Sequence, residues 1–229
     1  EKIELLTDRE HLEMAENLSK GGLASVFDER FFEANNPYLP NYDNEKLCTY
    51  ALFIDANNLY GGMMMTRCLP WGDYTTIENP DIAMVEEMVK TPDDSEFGYI
   101  LELYLVYPRY LHDNHSDFPI APTKEEVKYE MLSDYQKSLL QVMQKKPSHV
   151  KKLLQTLFDK DRYTIHYVTL KMYLELGMKI QKVYRVMKFR QKKWLAPYIE
   201  LNTRKRQNAQ NKFEENFYKL MSNSAYGKC

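Results

Sequence analysis

The sixteen residues 212–227, KFEENFYKLMSNSAYG, constrain the fold more than any other stretch of this sequence. At about 100° per residue, Phe213, Phe217, Leu220 and Ser224 fall on one arc of a helix. Lys212, Lys219, Asn223 and Tyr226 fall on another, at i, i+7, i+11 and i+14. The first arc is expected to pack and the second to present. In a continuous helix Arg206 would stand about 20 Å from Lys219, on the core side. The polar run Gln207, Asn208, Ala209, Gln210 and Asn211 therefore predicts a turn, which folds the region into a helical hairpin and returns Arg206 toward Lys219. Two cations converging on one point suit a triphosphate, while an amide and a phenol along the same arc can take a sugar or base edge and a stacked base. Without that convergence, the arc reads as an ordinary solvated face.

Charge is segregated along the chain although the net value is only −2. Residues 73–96 carry eight acidic side chains against Lys90 alone, which reads as a solvated insertion edge. Residues 179–212 carry eleven Lys and Arg against Glu200 alone, interleaved with Tyr184, Phe189, Trp194 and Tyr198. That surplus is an electrostatic footprint for phosphate and for stacked bases, set against the alternative of a solvated basic face. No apolar run reaches 18 residues, so no membrane partner is expected. Cys48, Cys68 and Cys229 are odd in number and lack metal-binding spacing, which argues against a disulfide scaffold or a zinc site. A reducing compartment is the default expectation. The chain starts at Glu1 without a methionine and stops directly after the 212–227 stretch, as a piece of something longer would.

Along the rest of the chain, residues 8–18 predict a helix that Gly21 and Gly22 end, and 35–44 a loop. The apolar run 47–55, LCTYALFID, predicts a buried strand whose last residue, Asp55, stands where metal ligands are commonly mounted. A second strand at 99–107 is expected to pair with it. Residues 139–158 read as two short helices broken at Pro147, 166–176 as a helix closed by Gly177, and 180–189 as a third strand. Met63, Met64 and Met65 read as core filler, and His112, His115 and Asp117 as turn residues rather than a metal site. The expected fold class is α+β, an antiparallel sheet with packed helices plus a helical hairpin.

The stretch Asp55-Ala56-Asn57-Asn58-Leu59-Tyr60-Gly61 resembles motif A, D-x-x-S-L-Y-P, of family B DNA polymerases. The stretch Lys219-Leu220-Met221-Ser222-Asn223-Ser224-Ala225-Tyr226-Gly227 resembles their motif B, K-x-x-x-N-S-x-Y-G, at every fixed position. The 164-residue separation of Asp55 and Lys219 is similar to that of the protein-primed subgroup, found in viruses, linear plasmids and Maverick/Polinton-like transposons. The resemblance implies a connector over 1–46, a partial palm with an insertion over 47–194, and fingers over 195–229. It implies that Asp55 is catalytic, the first of two palm carboxylates that hold two Mg²⁺ ions. It further implies that Asn58 and Leu59 border the triphosphate, that Tyr60 lies under the deoxyribose as a sugar gate, and that Lys219 with Arg206 contacts the triphosphate. Asn223 and Tyr226 would line the nascent base pair, with Gly227 leaving room for DNA.

Ser19-Lys20-Gly21-Gly22 resembles the family's template-binding Y-x-G-G element, with Ser19 in place of Tyr, which implies that Gly21 and Gly22 touch template. Asn58 stands where motif A usually has Ser, and Gly61 where it has Pro. The implied partners are primer–template DNA, dNTP and a terminal priming protein, and the implied activity is template-directed nucleotidyl transfer by two metals. Motif C, Y-x-D-T-D-S, with the second carboxylate, does not occur in the chain, so the segment alone is expected not to polymerise. The alternative is a non-catalytic nucleic-acid-binding remnant of a transposon or viral polymerase.

Overall fold

The computed structural model describes residues 2–23, 32–56, 58–146 and 149–226. In chain order the elements are α1 (Arg9–Leu18), α2 (Leu59–Thr66), β1 (Leu69–Thr76), α3 (Ile82–Met88), β2 (Phe97–Val106), β3 (Thr123–Glu126), α4 (Asp134–Val142), β4 (Lys151–Leu154), β5 (Lys160–His166), α5 (Tyr167–Glu175), β6 (Lys179–Lys192), α6 (Ala196–Gln207) and α7 (Lys212–Tyr226). The fold is α+β, as the sequence predicts. Two compact units are present: Glu1–Ala24 with Pro70–Gln191, and Ser25–Leu69 with Lys192–Cys229.

The first unit is built on a sheet of strand order β1-β6-β2-β5, in which β2 runs antiparallel to both neighbours. Alternation along β2 puts Leu101, Leu103 and Leu105 on one face, against Tyr163, Ile165 and Val186 of the flanking strands and Tyr167 and Leu170 of α5. Each of the three leucines is fully buried, a gain of about 1.5–3 kcal/mol apiece. The opposite face carries Ile100, Met187 and Phe189, which pack on Met14 of α1. The helix expected over 8–18 forms because Asp8 caps it, accepting from His11 N at 3.0 Å. The helix expected over 166–176 ends at Gly177, whose φ of +99° is a conformation that side chains with a Cβ rarely adopt.

Three expectations fail here, each for a physical reason. Residues 47–55 form no strand, and nearly the whole run is exposed, with Phe53 at 91%. Apolar, strand-forming composition produces a strand only where a backbone edge pairs with it, and no described strand lies beside this run. Its fixed point is Thr49, whose N–H donates to Asn35 O at 2.7 Å. Accordingly β2 pairs with β5 and β6 instead of with 47–55. Of the two helices expected in 139–158 only α4 forms, and the second is replaced by β4, paired antiparallel with β3. That ladder sets Glu125 opposite Lys152 and Glu126 opposite Lys151, a charge match that sequence proximity does not reveal. The Pro147 break lies outside the described residues. Finally, the acidic stretch 73–96 is not merely a solvated edge: it contains the second half of β1 and all of α3, whose Val85 and Met88 enter the core.

In the second unit α2, α6 and α7 surround buried Met64, Leu195 and Ile199, with Leu69, Tyr198 and Ala225 beside them. Of the three consecutive methionines, Met64 is core, Met65 is half-buried against it and Met63 is exposed. The expected hairpin forms: α6 and α7 are joined through residues 208–211, and Asn211 Oδ1 accepts from Glu214 N at 3.0 Å at the start of α7. On α7 the arc expected to pack is not the one that packs, whereas Lys212, Lys219, Asn223 and Tyr226 are exposed, as expected. Phe213, Phe217 and Leu220 are exposed, while Ser222 is buried and Glu215 and Tyr218 are half-buried. The buried residues of α6 explain this. Its inward stripe runs from Ile199 through Asn202 toward Arg206, so the partner helix meets it with small and polar groups, and Tyr198 OH donates to Met221 O at 3.1 Å. No described helix is long and apolar enough to cross a membrane.

Candidate nucleotide site

The motif A turn is shaped by two residues that fit each other. Asn58 precedes α2 with φ +55° and ψ +44°, the left-handed region that Asn tolerates better than most side chains. Its carbonyl accepts from Gly62 N at 2.8 Å, opening the helix. Gly61 is buried in the first turn, and a Cβ there would run into the Asn58 amide. The absence of a side chain at Gly61 therefore leaves the space that the Asn58 amide occupies.

Asn58 lines a cavity of about 290 Å³ within the second unit. Asn202, Thr203, Arg206 and Gln207 of α6 form one wall, and Glu215, Lys219 and Ser222 of α7 another. On α7 these three stand at i, i+4 and i+7, one face of a helix. Glu215 lies between two cations, 3.4 Å from Arg206 and 2.9 Å from Lys212. Lys212 first, then Arg206, holds its carboxyl below the usual carboxylate range, so it is ionised at neutral pH. Next along the same turn, Tyr60 of α2 stacks on Tyr226 of α7 with ring centroids 4.2 Å apart and planes 26° from parallel. Two cations, a carboxylate, neutral amides and hydroxyls around one space can bind a polyanion with many oxygens, and the outer faces of the stacked Tyr60 and Tyr226, which do not line that space, can take flat groups.

Of the residues singled out by sequence, Asn58, Arg206 and Lys219 share this cavity, and Tyr60 and Tyr226 touch. Leu59 is the exposed first residue of α2, and Asn223 is exposed one turn beyond Lys219. Asp55 is exposed, three residues before Asn58, and is not part of the cavity lining. Gly227 lies outside the described residues. Gly21, with φ +92°, and Gly22 belong to the first unit and are exposed. Beside them burial, then the neighbouring Lys124, lowers the Lys20 pKa to about 8.

The basic segment divides in two. The two arginines of its strand half are committed inside the first unit: Arg185 pairs with Glu102 at 2.5 Å and Glu13 at 3.1 Å, and Arg190 with Asp73 at 2.8 Å. These acids lie far away in sequence, so the surplus counted along the chain overstates the positive charge left for phosphate. Among the described residues no three His, Cys, Asp or Glu cluster to hold a metal. His112 donates to Tyr107 O at 3.2 Å and His115 meets Tyr107 OH at 2.8 Å. Sequence reasoning missed Asn202, Thr203, Gln207, Glu215 and Ser222. A signal existed for three of them, since Glu215 and Ser222 flank Lys219 at helical spacing and Asn202 stands one turn before Arg206.

The family described as DNA polymerase type B, organellar and viral, matches residues 41–229. No curated protein sequence matches the chain. Among solved structures, Phi29 DNA polymerase in its orthorhombic crystal form superposes on 99% of the chain with a TM-score of 0.57 and 15% identity. That is a likeness of fold, consistent with a partial palm. The chain spans 32% of the length of that polymerase.

Proposed function

Because the chain belongs to the organellar and viral type B DNA polymerases, we propose that its second unit binds the incoming dNTP for template-directed transfer to a primer 3′-OH. The observation that carries this reading is the cavity shared by Asn58 of the motif A turn with Arg206 and Lys219 of the hairpin. The two cations bind the triphosphate, favour its charged oxygens over water, and offset the negative charge that builds on pyrophosphate as it leaves. Asn58, with the backbone at Leu59, borders the same phosphates. Tyr60 lies under the deoxyribose and excludes a 2′-OH, and Tyr226 with Asn223 lines the nascent base pair. Gly21 and Gly22 in the first unit, and Gly227, contact DNA. Primer–template DNA is the partner, and a terminal protein supplies the first hydroxyl.

Asp55 is the metal ligand of this reading. Its hard oxygens suit Mg²⁺, and its exposure leaves them free to coordinate, so it would serve as one ligand of the ion, although no cluster of three such groups stands among the described residues. When bound, Mg²⁺ lowers the pKa of the 3′-OH and neutralises the triphosphate. The test is binding of dNTP to this chain. Lys219→Ala and Arg206→Ala should each weaken it about tenfold, as loss of a charged hydrogen bond does. Equal affinity of both variants and wild type would remove the cavity as the nucleotide site. In a polymerase containing this segment, Asp55→Ala should abolish nucleotide addition and spare DNA binding.

A further inference from the structure

The cavity contains a polar group that the fold itself leaves unused. Asn202 is 5% exposed, and its Nδ2 is buried without a hydrogen-bond partner among the described residues. A buried donor left unpaired costs about 1–3 kcal/mol, so most folds fill such a position with an apolar side chain or supply an acceptor. An apolar side chain would fit the neighbourhood, since Ile199 stands one turn earlier on the same stripe of α6 within the core of the unit. One turn later on that stripe stands Arg206, and Asn202 lines the same cavity as Arg206 and Lys219. Along this helix face the character thus changes from apolar to amide to cation on approach to the cavity.

We infer that Asn202 is a ligand contact: its amide N–H donates to a phosphate oxygen held by Arg206 and Lys219. The inference rests on the triphosphate reading of the cavity and adds a third donor to it. A neutral donor complements the two cations because it gives direction without adding charge. Glu215 already offsets part of the positive potential in that space, which makes a directional neutral contact more telling there. The unpartnered amide is a deficit of the empty protein that the bound anion removes.

The experiment uses this chain with inorganic tripolyphosphate as the probe, following affinity by calorimetry and stability by thermal denaturation. Asn202→Leu, which is nearly isosteric, should weaken tripolyphosphate about tenfold. It should also leave the empty protein as stable as wild type or more stable, because it removes the unpaired amide. A purely structural Asn202 gives the opposite pattern, lower stability with unchanged affinity per folded molecule, and that result overturns the inference. Should the Leu variant not fold, the wild-type protein supplies the second measurement. The Asn202 side-chain amide resonances must shift as tripolyphosphate saturates, and their failure to move overturns it equally. Lys219→Ala separates the two readings. If tripolyphosphate binds the wild type and Lys219→Ala alike, the triphosphate site itself fails. If Lys219→Ala loses affinity while Asn202→Leu keeps it, the Asn202 contact alone fails.

Discussion

Burial sets the protonation state of His166. The imidazole accepts from Val168 N as the cap of α5 and packs against the Tyr167 and Phe189 rings. Desolvation lowers its pKa to about 4, against a smaller opposing pull from Asp93. A neutral imidazole in the folded state binds its proton less readily than in the unfolded chain. Stability is therefore full above the unfolded value near 6.5 and is lost as pH falls from there toward 4. At about 1.4 kcal/mol for each decade, the loss is on the order of a few kcal/mol. Asn is also a favourable N-cap, so His166→Asn should keep α5 capped and flatten this dependence. Urea midpoints measured from pH 7 to pH 4 check it, and parallel slopes for the two proteins would exclude the assignment.

The first turn of α2 offers a prediction in which helix stability and site geometry part ways. Gly61→Ala removes a residue about 1 kcal/mol worse than Ala in a helix, yet its Cβ enters the space of the Asn58 amide. The variant should melt no lower than wild type while binding dNTP about threefold or more weakly. Unchanged affinity would show that Asn58 need not hold its place. The same element shows what could be read from sequence. Helix caps and helix-ending glycines are local, so α1, α5 and the α6–α7 hairpin were legible, and with them the approach of Arg206 to Lys219. Choices that depend on a distant partner were not. Whether 47–55 becomes a strand depends on a neighbouring edge, β4 needs the glutamates of β3, and the buried face of α7 is selected by a polar stripe on α6. Glu215 and Asn202 escaped notice because inward-facing polar residues break the apolar periodicity that marks a packed face.

At the scale of the molecule each unit has its own core, the one a sheet covered on both faces and the other a small three-helix cluster. The cluster is the smaller of the two, and it carries the cavity. Outside both cores runs the segment 50–54, Tyr-Ala-Leu-Phe-Ile, uncharged, proline-free and open to solvent. A stretch of that kind is a template for cross-chain pairing, and in a purified sample it should make each polypeptide adhesive to the next. Light scattering should rise steeply with concentration, and Phe53→Lys should suppress the rise without moving the melting temperature, because Phe53 touches so little of its own chain. The practical handling of the protein should thus depend on five residues that contribute almost nothing to its folded core.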